Sequence, residues 1–298
     1  MALRDKGEKT RKTKPIKDVI KGELLASRKQ KKNDKINKKI LLSGENGTAK
    51  TSLSLSLFTQ DLADDEVIVY VDIDNSGQEI IHDFYEDLYQ SGNILVYNPN
   101  AVKVNDKGVT IKDEETVVNN VTSSAEAIKE LIEEDGINVK GVVVDGISFL
   151  LEFAESKMRL EKNLAVDQGA NINVWKIRNK FFREFSSAFM HLDVPVIYVS
   201  HADFIPELVP VGQDLASVKR RFIDECSVRI TLEKRGSIEN PNVTHYVALV
   251  QKNRSDIFSV GKEVVFMSVN NKDKTIDDRY IDLYNLIFPS NDDAGNTE

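Results

Sequence analysis

Five short, nearly continuous apolar runs punctuate the chain from residue 38 onward: "KILLSG" (39–44), "EVIVYVDID" (66–74), "NILVYN" (93–98), "VKGVVVDG" (139–146) and "VPVIYVSHAD" (194–203). They are rich in Val and Ile and do not alternate with polar residues, the pattern of strands covered on both faces. Between them, helical spacing predicts helices over 50–63, 77–91, 123–135 and 172–192. Strands alternating with helices predict an α/β sandwich around a mostly parallel sheet.

Two regions break the alternation. Residues 99–122 alternate apolar and polar positions around "NDKG" and read as an exposed hairpin. Residues 226–269 contain "CSVRITLEKRG", "THYVALVQKNR" and "KEVVFMSV", strands that extend the sheet in antiparallel fashion. The stretch "NINVWKIRNKFFREFSSAF" spaces Trp175, Phe181, Phe182 and Phe185 as an amphipathic core helix.

Composition narrows the class. A chain of 298 residues with 41% hydrophobic residues can fill a core. It has no apolar run of 18 residues, and "MALRDKGEKTRKTKPIKD" has no apolar centre, so neither a membrane span nor secretion is expected and the chain reads as cytoplasmic. One cysteine, Cys226, and four histidines exclude a disulfide framework and a Cys/His zinc site. The net charge of −8 is unevenly spread: residues 1–39 hold 15 Lys/Arg against 5 Asp/Glu, or +10, leaving −18 for residues 40–298. The basic arm, 1–37, is either an electrostatic handle for nucleic acid or a solvated leader. Residues 38–288 form the expected domain, and 289–298 an acidic tail.

Candidate chemistry begins at "GENGTAKTS", comprising Gly44, Glu45, Asn46, Gly47, Thr48, Ala49, Lys50, Thr51 and Ser52. A strand, a glycine turn, Lys-Thr and a helix make a phosphate cradle: loop amides and the helix N-terminus face the anion, Lys adds charge, and Thr offers a hydroxyl to Mg²⁺. The usual glycine before the lysine is Ala49, which fits if that position takes right-handed helical angles. The Ser-Leu alternation that follows has a strand's period, yet Ala49, Leu53 and Leu57 share a helical face, and the segment is assigned as helix. Downstream, "GVVVDGIS" ends a buried strand in Asp145, a carboxylate placed to hold a metal's water shell.

In order, "GENGTAKT", "VDIDNSG", "VVVDGIS" and "VIYVSHAD" resemble the RecA-like ATPases, a class that includes RecA and RadA recombinases, KaiC and DnaB helicases. The resemblance implies a RecA-like P-loop core that binds ATP and Mg²⁺, with Lys50 and Thr51 on phosphate and metal and Asp145 as the Walker B residue. It also implies Asp74 as the carboxylate that orients the attacking water, with Glu79 as alternative, and His201 as a γ-phosphate sensor. "LVQKNR" is similar to the strand whose Lys-x-Arg reaches a neighbouring subunit's nucleotide, so Lys252 and Arg254 would act in trans in a ring or filament. DNA-contacting loops would fall near 151–172 and 202–222. The second carries Lys219, Arg220, Arg221 and Phe222, which suit single-stranded DNA, a subunit interface or a plain helix surface.

The pattern looks most like compact RecA-like ATPases of phages and archaeal viruses, which implies an ATPase acting on DNA in recombination, single-strand annealing or replication, in the host cytoplasm. A DNA translocation or packaging motor is one alternative. A nucleotide-binding structural or regulatory protein without a DNA role is another.

Overall fold

The computed structural model describes residues 37–105, 108–165, 168–169, 171–202 and 217–289. The basic arm before residue 37, the segment 203–216 and the tail from residue 290 lie outside the described residues. In chain order the elements are β1 (Lys39–Gly44), α1 (Lys50–Thr59), β2 (Glu66–Asp72), α2 (Gly77–Phe84), α3 (Glu86–Gln90), β3 (Ile94–Tyr97), β4 (Val102–Val104) and β5 (Thr110–Lys112). There follow α4 (Glu114–Glu133), β6 (Asn138–Asp145), α5 (Ile147–Glu161), α6 (Ile172–Met190), β7 (Val196–His201), α7 (Ser217–Glu225), β8 (Val228–Gly236) and β9 (Val243–Asn253). A short 3₁₀ turn (Ile257–Ser259), β10 (Glu263–Asn270), β11 (Thr275–Asp278) and α8 (Tyr280–Ile287) complete the set.

Nine strands form one sheet in the order β11-β10-β9-β8-β1-β7-β6-β2-β3. The six from β8 to β3 run parallel, and β9, β10 and β11 continue the sheet antiparallel. This is the mostly parallel α/β core with antiparallel C-terminal strands that the sequence predicts. Helices cover both faces, which explains the unbroken apolar runs. Leu41 of β1 joins one core with α4, α5 and α6, whereas its neighbours Ile40 and Leu42 join the other with α1 and α8. Side chains alternate across a strand, so a strand between two cores must be apolar at every position.

The assignment of helix to the Ser-Leu stretch holds. Leu53, Ser54, Leu55, Ser56, Leu57 and Phe58 are all buried, so α1 is surrounded and has no exposed face to impose a 3.6-residue period. Its buried serines are bonded, Ser54 Oγ donating to the Thr51 carbonyl at 2.7 Å and Ser56 Oγ meeting the Tyr85 hydroxyl at 2.5 Å.

Three regions differ from expectation. The hairpin pairs only Val102–Val104 with Thr110–Lys112, and α4 already starts at Glu114, so the second half of 99–122 is helix. The polar residues of "ETVVNNVTSSA" left the buried face of Val117, Val118, Val121 and Ala125 masked by apparent alternation. Of the stretch near 151–172 expected to meet DNA, residues 151–161 belong to α5, which buries Leu151, Phe153, Ala154 and Met158, and the described residues between Glu161 and α6 are non-helical. Finally, α6 is core only in its second half: Phe182, Phe185 and Phe189 are buried, whereas Trp175 is half-buried. The indole faces the guanidinium of Arg178 at 4.4 Å and that of Arg159 at 6.0 Å, a cation–π stack rather than core packing.

Candidate functional site

Strand register brings the candidate residues to one end of the sheet. Gly44 at the end of β1 lies opposite His201 at the end of β7, and Asp72 on β2 lies opposite Asp145 on β6. Ligands of open α/β sheets bind outside the carboxyl ends of the strands, and this is that edge.

From β1 the chain turns through Gly44–Ala49 into α1. Gly47 takes φ +74°, and Gly44 is confined by space, since a Cβ there would come 2.7 Å from Thr48 Oγ1 and 2.8 Å from the Leu232 carbonyl. Thr48 is buried and donates to the Glu45 carbonyl at 2.8 Å, closing the loop on itself. Ala49 has φ 59° and ψ 32°, which corrects the expected right-handed angles. Ala49 thus takes a left-handed conformation that glycine adopts more readily, while its carbonyl accepts the first helical bond, from Leu53 N at 3.0 Å. That conformation costs a non-glycine residue about 1–2 kcal/mol.

Lys50 folds back over the loop, its Nζ donating to the Gly44 carbonyl at 3.0 Å and the Glu45 carbonyl at 2.7 Å. Burial lowers its pKa, and the carboxylates of Asp145 and Asp74 partly restore it. Thr51 donates its hydroxyl to Asp145 Oδ2 at 2.7 Å. Asp145 is buried, and desolvation, followed by the charge of Asp74, raises its pKa against the lowering effect of its hydrogen bonds.

Asp74 is held beside Asp145. Ile73 N donates to the Asp145 carbonyl at 3.0 Å, and the left-handed Gly146, at φ +92°, leaves room for the Asp74 backbone: a Cβ on Gly146 would sit 3.0 Å from Asp74 N. Asp74 Oδ1 accepts from Ser76 N at 3.0 Å and Ser76 Oγ at 2.6 Å, so the carboxylate is engaged in its own turn. Asp72 is buried and accepts the Ser76 and Gly77 amides at 3.2 and 3.3 Å. Burial and the charge of Asp74 raise its pKa to about 6. Glu79 is exposed on α2. His201 is half-buried, its backbone amide donating to Ser148 Oγ at 2.8 Å and its ring standing edge-on to Phe149 at 5.4 Å.

Lys252 and Arg254 stand apart. Lys252 is opposite Arg229, which is opposite Leu41 on β1, so at about 3.3 Å per residue Lys252 lies roughly 10 Å back from Gly44 along the strand direction, and Arg254, bonded to Ser227, lies further back still. Both reach one atom: Lys252 Nζ donates to the Asp224 carbonyl at 2.8 Å, and Arg254 donates to the same oxygen. They cap the C-terminus of α7, where cations meet the helix dipole favourably. Beside them, the buried Nε of Arg229 has no hydrogen-bond partner among the described residues.

The nucleic-acid candidates separate. The side chains of Lys219 and Arg220 lie outside the described residues, and Arg221 is exposed and paired with Glu225 at 2.7 Å. Phe222 is buried against Tyr198 and Phe182, at 4.9 and 5.7 Å between ring centroids, which corrects its reading as a base-stacking aromatic. Phe222 and Ile223 form the inner face of α7, with Cys226 just beyond its end, and burying a phenylalanine is worth about 1.5–3 kcal/mol. Cys226 is a buried free thiol, as expected.

Sequence reasoning passed over Tyr70. Its hydroxyl donates to Asp145 Oδ2 at 2.7 Å, the oxygen that Thr51 also uses. The available signal was a polar-tipped aromatic inside the aliphatic "VIVYVD", since a buried phenol usually finds a partner, although the equally buried hydroxyl of Tyr198 in "VIYVSH" has none among the described residues.

No family model and no curated protein matches the chain. Among solved structures it is similar to a KaiC-like protein from the hyperthermophilic archaeon Pyrococcus horikoshii, with 12% identity and a TM-score of 0.45 over 82% of this chain and 90% of that one. No helix among the described residues is long and apolar enough to cross a membrane.

Proposed function

We propose that the chain is a Mg²⁺-dependent ATP-binding P-loop ATPase with a RecA-like core. The observation that carries this reading is the convergence of Thr51 on Asp145 at 2.7 Å beneath a glycine loop that holds Lys50. Hard oxygen donors suit Mg²⁺, which is bound by one or two protein groups together with phosphate oxygens. That fits a site where, among the described residues, no cluster of three His, Cys, Asp or Glu is placed to hold a metal alone. When bound, Mg²⁺ would neutralise charge between the phosphates. Lys50 exchanges its two loop carbonyls for phosphate oxygens, Thr51 presents its hydroxyl, and Asp145 accepts that hydroxyl's proton as a hydrogen bond. Asp74, once released from Ser76, would orient the attacking water, and His201, at the end of β7, would be the sensor.

Two finer proposals concern assembly and partner. A ring or filament of copies would let Lys252 and Arg254 act in trans. Supporting this, the pair lies away from its own P-loop, beside the Arg229 Nε that has no partner among the described residues. Action on DNA, single-stranded and in recombination, annealing or replication, is supported by the +10 charge of residues 1–39. A second reading is a nucleotide-binding regulatory or structural protein with slow turnover. It is favoured by the engagement of Asp74 with Ser76.

The deciding experiment is ATP hydrolysis by the purified chain without DNA, with single strands and with duplex, at matched salt. Hydrolysis raised by single strands supports the annealing or recombination role, and hydrolysis raised by duplex supports a translocation motor. ATP binding with slow turnover that DNA leaves unchanged supports the regulatory reading, and an absence of ATP binding overturns all three.

A further inference from the structure

Phosphate-cradle chemistry does not call for Tyr70, yet the fold is built around it. The residue is fully buried on β2 and belongs to the core formed with Leu53, Phe58 and Ile81. Phenylalanine would fill the same volume there, and a hydroxyl in such a place is unfavourable unless it is bonded. Among the described residues its hydroxyl makes one bond, across to the neighbouring strand, to Asp145 Oδ2 at 2.7 Å. The ring is also closed in from above: a Cβ on Gly77 would lie 2.3 Å from Tyr70 Cε1 and 2.3 Å from its hydroxyl oxygen. Gly77 has no left-handed backbone to explain its being glycine, and its three nearest would-be contacts are all atoms of Tyr70. The start of α2 is thus shaped to accept this ring.

Two donors from different elements therefore meet on one carboxylate oxygen, Thr51 from α1 and Tyr70 from β2, each at 2.7 Å. A carboxylate held by one hydrogen bond can rotate about its Cβ–Cγ bond, whereas two donors at fixed positions set its plane. Both bonds fall on Oδ2, which leaves Oδ1 outside the clamp.

We propose that Tyr70 is a positioning residue that fixes the Asp145 carboxylate for the metal that accompanies the nucleotide. This rests on the reading of Thr51 and Asp145 as the Mg²⁺ site. Partners that orient a metal-site carboxylate typically change metal affinity about 10- to 100-fold when removed.

The test uses the full chain and a fluorescent ATP analogue, titrated with Mg²⁺ for wild type, Tyr70→Phe and Asp145→Asn, with binding in EDTA and the nucleotide-free melting temperature recorded for each. Tyr70→Phe should raise the Mg²⁺ midpoint about tenfold or more while leaving binding in EDTA and the melting temperature near wild type. If Asp145→Asn shifts the midpoint and Tyr70→Phe does not, the positioning role is overturned and the Mg²⁺ site stands. If neither variant shifts it, the Mg²⁺ site itself is wrong and the role of Tyr70 falls with it. If Tyr70→Phe weakens binding equally with and without Mg²⁺ and lowers the melting temperature, Tyr70 is only a packing residue and the proposal fails.

Discussion

Thr51 and Asp145, 94 residues apart in sequence, are joined by a 2.7 Å hydrogen bond between the hydroxyl of one and the carboxylate of the other. The bond links the first turn of α1 to the end of β6, and it gives the phosphate loop and the acidic strand end a common centre. Lys50 is the cation of that centre. Lys50→Ala should reduce ATP affinity by at least tenfold without unfolding the chain, read by titration of a fluorescent ATP analogue. Unchanged affinity would show that the loop is not a phosphate cradle.

Ala49 holds a glycine's conformation at φ 59°. Ala49→Gly removes the left-handed strain of about 1–2 kcal/mol but adds unfolded-state freedom of about 0.5–1 kcal/mol. A net gain of roughly 0.5–1 kcal/mol should appear in urea denaturation. A loss of stability would mean that the left-handed angle is relieved in solution.

Gly146 is constrained twice, by φ +92° and by the Asp74 backbone 3.0 Å from a would-be Cβ. Gly146→Ala should therefore destabilise the chain by about 2 kcal/mol or more and displace Asp74 from Asp145. Denaturation measures the first effect. The second should appear as loss of turnover in excess of loss of nucleotide binding.

Burial and the neighbouring Asp74 charge raise the folded pKa of Asp72 to about 6, above its ordinary carboxylate value. The unfolded chain releases that proton at lower pH, so the ionised form is disfavoured by folding and stability falls as pH rises towards and through 6. Asp72→Asn lacks this penalty. Its melting temperature relative to wild type should be highest near pH 7 and decline as pH falls below 6. A difference independent of pH would place the titration elsewhere.

Lys252 and Arg254 share the Asp224 carbonyl. Replacing both with alanine should cost about 0.5–1 kcal/mol through the lost cap. If they also act in trans, turnover should fall about 10³-fold with ATP affinity retained. Mixing the double variant with Lys50→Ala chains should then restore activity in hybrid assemblies. No recovery on mixing, with turnover near wild type, would confine the pair to capping α7.

The pattern of apolar residues determined the sheet. Strands such as "KILL" and "VVVD" lie between two cores, as Leu41 and its neighbours show, and only a doubly covered strand needs that composition. The spacing of Gly44, Lys50 and Thr51, with Asp145 ending a buried run, likewise marked the site, because loop, charge and hydroxyl must follow one another locally. Tertiary structure decided the rest. The left-handed angle of Ala49 comes from how β1 must turn into α1, which composition does not encode. Phe222 became core, and Leu151 to Met158 became a packed helix, because the facing surfaces of α4, α6 and β7 are brought there by distant segments. Tyr70 reads as one more strand aromatic until β2 and β6 align Asp72 with Asp145 and bring its hydroxyl to the same carboxylate that Thr51 meets. Local sequence fixes which groups are offered, and strand register, a long-range property, fixes which of them meet.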